Sequence, residues 1–102
     1  MKELVWTSHS RAKMRQYGLS EGRIKRVIHS PFRTEEGIAE GTVAMMQKAG
    51  SEKNPYELWV MVSDKRNMMN IVSAWKYPGV TKPGEPLPES IRRELREAAY
   101  FV

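Results

Sequence analysis

The sequence predicts an α+β fold, in which an N-terminal helix hairpin packs on a mainly antiparallel four-stranded sheet and a further helix follows at the C-terminus. Three observations predict this fold. Apolar residues recur at helical spacing in residues 8–29 and again in residues 89–102. Between residues 32 and 76, apolar and polar residues instead alternate as they do in strands. A stretch with four prolines and two glycines separates the last strand from the last helix.

The length of 102 residues favours a single domain. We expect an α+β domain over residues 1–77, an extended Pro/Gly-rich linker over 78–88 and an amphipathic helix over 89–102. That helix has an apolar stripe that must be covered, either by the sheet of its own domain, which we predict, or by a partner chain. The stripe consists of Ile91, Leu95, Ala98 and Val102.

Capping residues define the two N-terminal helices. Thr7 or Ser8 is suited to cap the first helix, and Gly18 is suited to end it. Ser20 is suited to cap the second helix, which must end before Pro31, because the residue before a proline is pushed out of the helical region. The short connection between the two helices predicts a helix hairpin.

The strands follow from alternation and from turn residues. A short first strand is predicted at residues 5–7. Residues 56–63 and 68–76 are apolar on both faces, so these strands should be central and covered on both sides. In the last strand, alternation places Met69, Ile71, Ser73 and Trp75 on one side. The four strands of the predicted sheet are 32–36, 42–48, 56–63 and 68–76.

The composition excludes several classes of function. The chain has no cysteine, so disulfide scaffolds, thiolate zinc sites and cysteine nucleophiles are excluded. Its apolar runs are too short to cross a bilayer, and its first residues do not resemble a secretion signal, so we expect a cytoplasmic protein with no membrane partner. No Gly-rich phosphate loop, HExxH or GxSxG motif occurs, so neither a cofactor nor a metal is predicted.

The positive charge is concentrated in the first third of the chain. Residues 1–33 have a net charge of +6, whereas residues 34–102 have a net charge of −1. A basic segment on an otherwise balanced domain predicts an anionic partner, nucleic acid first. The alternative is a solvated helix face that is charged for solubility. The basic residues predicted to bind nucleic acid are Arg11, Lys13, Arg15, Arg23, Arg26 and Arg33.

Residues 7–20, with the sequence TSHSRAKMRQYGLS, resemble the opening signature of small uncharacterised domains related to the RelE/ParE toxins. The second helix, the Ser-Pro stop and the strand hairpin at 56–75 fit the plan of that family as well. The resemblance covers about residues 5–77, and the C-terminal helix lies outside it. Lys13 stands where the family pattern has arginine before methionine, and Tyr17 stands where a second arginine often precedes the glycine.

This resemblance implies a fold shared with metal-independent ribonucleases, in which a sheet holds RNA and the RNA 2′-hydroxyl is the nucleophile. Such chemistry needs a base, an acid and cations for the charge that develops on phosphorus. His9 is the candidate base or acid, and arginines are suited to hold the phosphate. The last strand would line the site and offer Trp75 for base stacking. The predicted catalytic set is His9, Arg11, Arg33, Ser73 and Tyr77.

Several of the candidate catalytic and binding residues also have a structural interpretation. His9 can hydrogen-bond locally, Arg11 and Arg15 can pair with the acids at 35–36, and Trp75 can belong to the core. The expected function is a toxin-like RNA-binding protein, with RNA or the ribosome and an antitoxin as predicted partners. The alternatives are a non-catalytic interaction module of the same fold and a ParE-like inhibitor of a protein target.

Overall fold

A computed structural model describes residues 2–85 and 87–100 of the chain. Three helices and five strands form an α+β fold. Among the described residues, no helix is long and apolar enough to cross a membrane. The elements in chain order are β1 (Glu3–Trp6), α1 (Ser8–Tyr17), α2 (Glu21–His29), β2 (Arg33–Glu36), β3 (Thr42–Gly50), β4 (Pro55–Asp64), β5 (Met68–Pro78) and α3 (Glu89–Tyr100).

The two N-terminal helices begin and end where the capping residues predict. The Thr7 hydroxyl oxygen accepts a hydrogen bond from the backbone N–H of Ser10 at 3.0 Å, which satisfies a free donor in the first turn of α1. Gly18 ends α1 in the left-handed conformation with φ of 68°, where a side chain would be strained. Ser20 caps α2 in the same way, by accepting from the N–H of Arg23. The predicted helices and their short connection over residues 18–20 are therefore confirmed.

The sheet has five strands in the order β1-β5-β4-β3-β2, one more than predicted. Strands β2 to β5 form an antiparallel sheet, as expected. The short strand predicted at residues 5–7 is β1, which joins the sheet as its fifth strand: it pairs in parallel with the first part of β5, from Glu3 opposite Met68 to Trp6 opposite Ile71. Its partner lies more than sixty residues away in the chain, so no local pattern indicates the pairing. The sheet is mixed rather than four-stranded.

A β-bulge in β5 changes which side chains share a face. Ile71 is opposite Val62, but the next pair is Ser73 with Met61, so Val72 is an extra residue. Beyond the bulge the alternation is shifted by one position. The prediction that Met69, Ile71, Ser73 and Trp75 lie on one side is therefore wrong: Ile71 packs under the helix hairpin, whereas Trp75 belongs to the opposite face.

The sheet separates two apolar cores, which explains why β4 and β5 are apolar on both faces. Helices α1 and α2 cover one face, with Met14, Ile24 and Val27 buried against Leu58, Val60 and Val62 among others. Helix α3 covers the other face, where Leu95 is 3% exposed. Ile91 and Ala98 pack against the same core, and Val102 lies outside the described residues. The core under α3 contains Ala44, Met46, Trp59, Met61, Val72, Trp75 and Leu95.

The Pro/Gly-rich segment after the sheet is partly packed rather than fully extended into solvent. Strand β5 continues to Pro78, and Thr81 is buried. The Thr81 hydroxyl donates to a carboxylate oxygen of Glu57 at 2.7 Å, and the Thr81 backbone N–H donates to the other at 2.9 Å. The Trp59 indole N–H also donates to Glu57, at 3.0 Å. The buried Glu57 carboxylate thus accepts three hydrogen bonds, and the two from Thr81 hold this segment against the sheet.

Candidate nucleic-acid interface and the His9 cleft

Helix α1 starts beside β5, at the point where β1 stops pairing with it. The Thr7 hydroxyl donates to the backbone oxygen of Ile71 at 2.9 Å, which fixes the start of the helix against the strand. This contact places the His9 Nε2 atom 3.0 Å from the Ser73 Oγ atom. Ser73 is fully buried, and the His9 side chain is 28% exposed. Two residues of the predicted catalytic set therefore form a hydrogen-bonded pair.

A cleft of about 280 Å³ lies next to this pair, between α1, β5 and α3. The ammonium group of Lys13 pairs with the Glu94 carboxylate on its wall. The same carboxylate lies 3.9 Å from His9 Nε2, the nitrogen that contacts Ser73. A Ser-His-acid relay needs the acid on the other ring nitrogen, so this arrangement is not one. The cleft is lined by Lys13, Tyr17, Ser73, Trp75, Lys76, Tyr77, Pro78, Ile91, Glu94 and Leu95.

The environment of His9 favours the neutral ring. Burial, which penalises the charged ring, lowers the pKa of His9 below its ordinary value of 6.5. The nearby Glu94 carboxylate opposes this shift, and the Lys13 ammonium adds to it. Since the pKa is below 6.5, His9 is predominantly neutral at pH 7 and able to accept a proton.

We expect an NMR titration of the imidazole signals to give a His9 pKa below 6.5, and a lower value in the Glu94→Gln variant, which removes the opposing carboxylate. Because the unfolded chain binds this proton more readily, the free energy of unfolding should rise with pH up to about 6.5. That contribution should be lost as the pH falls from 6.5 through the folded-state pKa. A His9 pKa at or above 6.5 would contradict the account.

The two arginines of the predicted catalytic set lie away from this cleft. Arg11 pairs with Glu21 of α2 at 2.6 Å and lies over the Trp6 ring, 5.1 Å from its centroid. Arg33 is on β2, which β3 and β4 separate from β5. The Arg33 guanidinium donates to the Thr81 carbonyl oxygen at 3.2 Å and forms an ion pair with Glu35 at 2.8 Å. Both arginines therefore pair with acids elsewhere in the fold, and neither joins His9 and Ser73 in one site.

The aromatic residues of the predicted site have different environments. Trp75 is 5% exposed and stacks on Trp59, with ring centroids 5.8 Å apart and planes 3° from parallel. Arg33 lies over the other tryptophan, 5.3 Å from the Trp59 ring. No face of Trp75 is thus open to a base while α3 is in place. Tyr77 is half-buried and lines the His9 cleft.

The remaining predicted nucleic-acid residues are distributed over both helices, Arg15 on α1 and Arg23 and Arg26 on α2. Arg15 and Arg26 are exposed, and Arg23 is partly exposed. Within the part of the chain that the structure describes, none of the three forms an ion pair, in contrast to Arg11 and Lys13. An unpaired arginine keeps its full hydrogen-bonding fork for an anion. We call Arg15, Arg23 and Arg26 the hairpin surface.

Two charged residues near these sites were not singled out from the sequence. Glu94 lies on the C-terminal helix, and only the docking of α3 brings it to His9 and Lys13. Lys76 is at the end of β5 and lies over the Tyr56 ring, 5.3 Å from its centroid, close to the hairpin surface. Helix periodicity and strand alternation do not encode either contact, because each joins elements that are far apart in the chain.

Over residues 2–85 and 87–100, no group of three or more His, Asp or Glu side chains is placed to hold a metal ion. Comparison of the chain with family models, with curated proteins and with solved structures finds no match. The resemblance to the RelE/ParE-related domains therefore stays a prediction from residues 7–20.

Proposed function

We propose that this protein is an RNA-binding protein that contacts the phosphate backbone through the hairpin surface. The observation that carries the proposal is that Arg15, Arg23 and Arg26 have no acidic partner among the described residues, although acids pair with other cations of the same hairpin. Keeping three arginines unpaired on one helix hairpin is favourable when an anionic partner supplies the counter-charge.

Binding without catalysis fits the geometry better than catalysis does. Phosphoryl chemistry needs cations next to the base, but Arg11 and Arg33 point their guanidinium groups at Glu21 and Glu35 instead. Helix α3 also covers the face of the sheet that contains Trp75. The protein is therefore proposed as an interaction module of the toxin-like fold. The ribosome and an antitoxin as partners stay predictions from the resemblance.

The first test is the salt dependence of RNA binding. Wild-type protein is titrated into a labelled single-stranded RNA, and fluorescence anisotropy gives the dissociation constant at several salt concentrations. Three arginine–phosphate contacts should give a slope of about −2 in a plot of log K against log salt, since each contact on a single strand contributes about −0.7. Absence of binding, or a slope near zero, would contradict the proposal.

A metal-independent ribonuclease is the second candidate, and one observation favours it: His9 Nε2 lies 3.0 Å from Ser73 Oγ beside a cleft that also contains Lys13 and Tyr77. In this mechanism His9 Nε2–H donates to Ser73 Oγ, which orients the neutral ring, and the other nitrogen, Nδ1, takes the proton of the RNA 2′-hydroxyl as that oxygen attacks phosphorus. Lys13, once released from its ion pair with Glu94, stabilises the charge that develops, and the Tyr77 hydroxyl protonates the departing 5′-oxygen.

The second candidate is tested by incubating RNA, with and without ribosomes, with wild type and with His9→Ala. If it is correct, the wild type cleaves, EDTA has no effect, and His9→Ala is slower by about 10²–10⁴-fold. His29→Ala is the matched control, because it removes the other histidine, which is exposed at the end of α2. Equal cleavage by His9→Ala and wild type would exclude this mechanism.

A further inference from the structure

A small cleft lies at the turn between α1 and α2, where the end of β5 and the start of β4 come close to the helix hairpin. Its volume is about 220 Å³, below the range of about 300–1,000 Å³ that is typical of pockets for drug-sized ligands. The cleft is therefore suited to one small chemical group rather than to a whole nucleoside. It is lined by Gly18, Leu19, Ser20, Arg23, Arg26, Tyr56, Leu58 and Lys76.

The charged side chains that line this cleft are all cations. Arg23 and Arg26 are three residues apart on α2 and so lie on the same side of the helix, whereas Lys76 comes from β5. No carboxylate lines the cleft, and within the described part of the chain none of the three cations forms an ion pair. Positive charges around one cleft repel one another, and an anion bound there would relieve that repulsion.

Two contacts position Lys76 and the backbone of Arg23. The Lys76 ammonium lies over the Tyr56 ring, 5.3 Å from its centroid, which limits the freedom of an otherwise flexible side chain. Arg23 is in the first turn of α2, where the Ser20 hydroxyl accepts its backbone N–H, so its backbone is fixed by the cap. The positive end of the α2 dipole adds to the field of the three side chains. The two guanidinium groups and the ammonium group offer N–H donors of the kind that bind phosphate oxygens.

We propose that this cleft binds the terminal phosphate monoester of an RNA chain. The inference rests on the proposed RNA binding and specifies which part of the RNA the cleft takes. A monoester has a charge of about −1.5 to −2 near pH 7, whereas an internal phosphodiester has a charge of about −1. The three cations around the cleft should therefore attract a terminal phosphate monoester more strongly than an internal phosphodiester. The remaining arginine of the hairpin surface, Arg15, does not line the cleft and is left for the backbone.

The test uses three versions of one short single-stranded RNA: with a 5′-phosphate, with a 3′-phosphate, and with hydroxyl groups at both ends. Anisotropy at a single salt concentration gives the three dissociation constants. We expect one of the phosphate-ended RNAs to bind about tenfold tighter than the hydroxyl-ended RNA, since charge-assisted hydrogen bonds to one more phosphate are gained. At constant ionic strength, inorganic phosphate should reduce the affinity of the phosphate-ended RNA more than that of the hydroxyl-ended RNA, so that the difference between them disappears.

Variants of the residues that line the cleft test whether the cleft is responsible for the preference for phosphate-ended RNA. Arg23→Gln and Lys76→Gln should each reduce the ratio between phosphate-ended and hydroxyl-ended affinities. The matched control is Lys25→Gln, which removes the same charge from the exposed side of α2 and does not line the cleft. The Lys25→Gln variant should reduce the affinity for all three RNAs by the same factor and leave the ratio between them unchanged.

The outcomes separate this inference from the proposed function. Equal affinities for the three RNAs would overturn the inference and leave RNA binding by the hairpin surface intact. If, in addition, inorganic phosphate raised the melting temperature of wild type but not of Lys76→Gln, the cleft would hold free phosphate rather than an RNA end. Failure to bind any of the three RNAs would overturn the proposed function itself.

Discussion

Replacing Leu95 with alanine should lower the free energy of unfolding by about 2–5 kcal/mol. Leu95 is 3% exposed and belongs to the core that α3 forms with the sheet, together with Trp59, Met61 and Trp75. Alanine keeps the helix propensity and leaves a cavity, so the loss reports on packing alone. Urea denaturation of wild type and variant measures it, and because small domains are stable by only about 5–15 kcal/mol, the midpoint should shift clearly.

The matched control is Arg93→Ala on the exposed side of the same helix. Surface changes of this kind usually alter the free energy of unfolding by no more than about 0.5 kcal/mol. If Leu95→Ala were as small in effect as Arg93→Ala, α3 would not contribute to the stability of the domain, and the second core would have to be covered in another way.

Reversing the charge at Arg15 and Arg26 together should weaken the binding of single-stranded RNA by about a hundredfold or more. Each arginine would lose a charge-assisted contact with phosphate, which is worth about 1.5–3 kcal/mol, and each glutamate would repel the strand. The slope of log K against log salt should become shallower by about 1.4, because two phosphate contacts are lost. Anisotropy titrations of wild type and of the Arg15→Glu, Arg26→Glu double variant measure both quantities.

Both of these side chains are exposed, so the double variant should keep the melting temperature of wild type to within a few degrees. Circular dichroism and thermal unfolding establish that it is folded before RNA is added. An unchanged affinity and an unchanged salt slope in the folded variant would exclude the hairpin surface as the RNA site.

The helix hairpin could be predicted because its signals are local. Thr7, Gly18 and Ser20 act within three or four residues of themselves, and the apolar stripe of Ile24 and Val27 lies on one helix turn. The two-sided apolar pattern of the central strands was equally informative, because each face is covered by a different set of helices. Capping and periodicity therefore determine these elements almost independently of the rest of the chain.

The features that were not predicted depend on distant contacts. The parallel pairing of β1 requires β5, and the bulge at Val72 reflects how β5 fits both β4 and the two cores. The burial of Thr81 depends on Glu57, which lies in the middle of the sheet. Proline and glycine content indicated an open linker there, but a buried carboxylate that needs donors overrides this local tendency.

In the candidate site, too, local features could be predicted from the sequence and features that depend on distant contacts could not. The residue types needed for phosphate binding could be recognised, and His9 is indeed next to Ser73. Which cations stay unpaired could not be recognised, because Arg11 pairs with Glu21 on another helix and Arg33 pairs with Glu35 on its own strand. Lys76 was missed for the converse reason, since only the register of β5 brings it beside Arg23 and Arg26.

The most direct test of RNA binding through the hairpin surface compares two variants of equal net charge. Arg15→Gln with Arg26→Gln, and Lys65→Gln with Arg66→Gln, each remove two positive charges, the second pair from the exposed turn between β4 and β5. We predict that the first variant loses most of the affinity for single-stranded RNA and has a shallower salt slope, whereas the second stays close to wild type. An equal loss in both variants would mean that only the overall charge attracts RNA, and would contradict a binding surface on the helix hairpin.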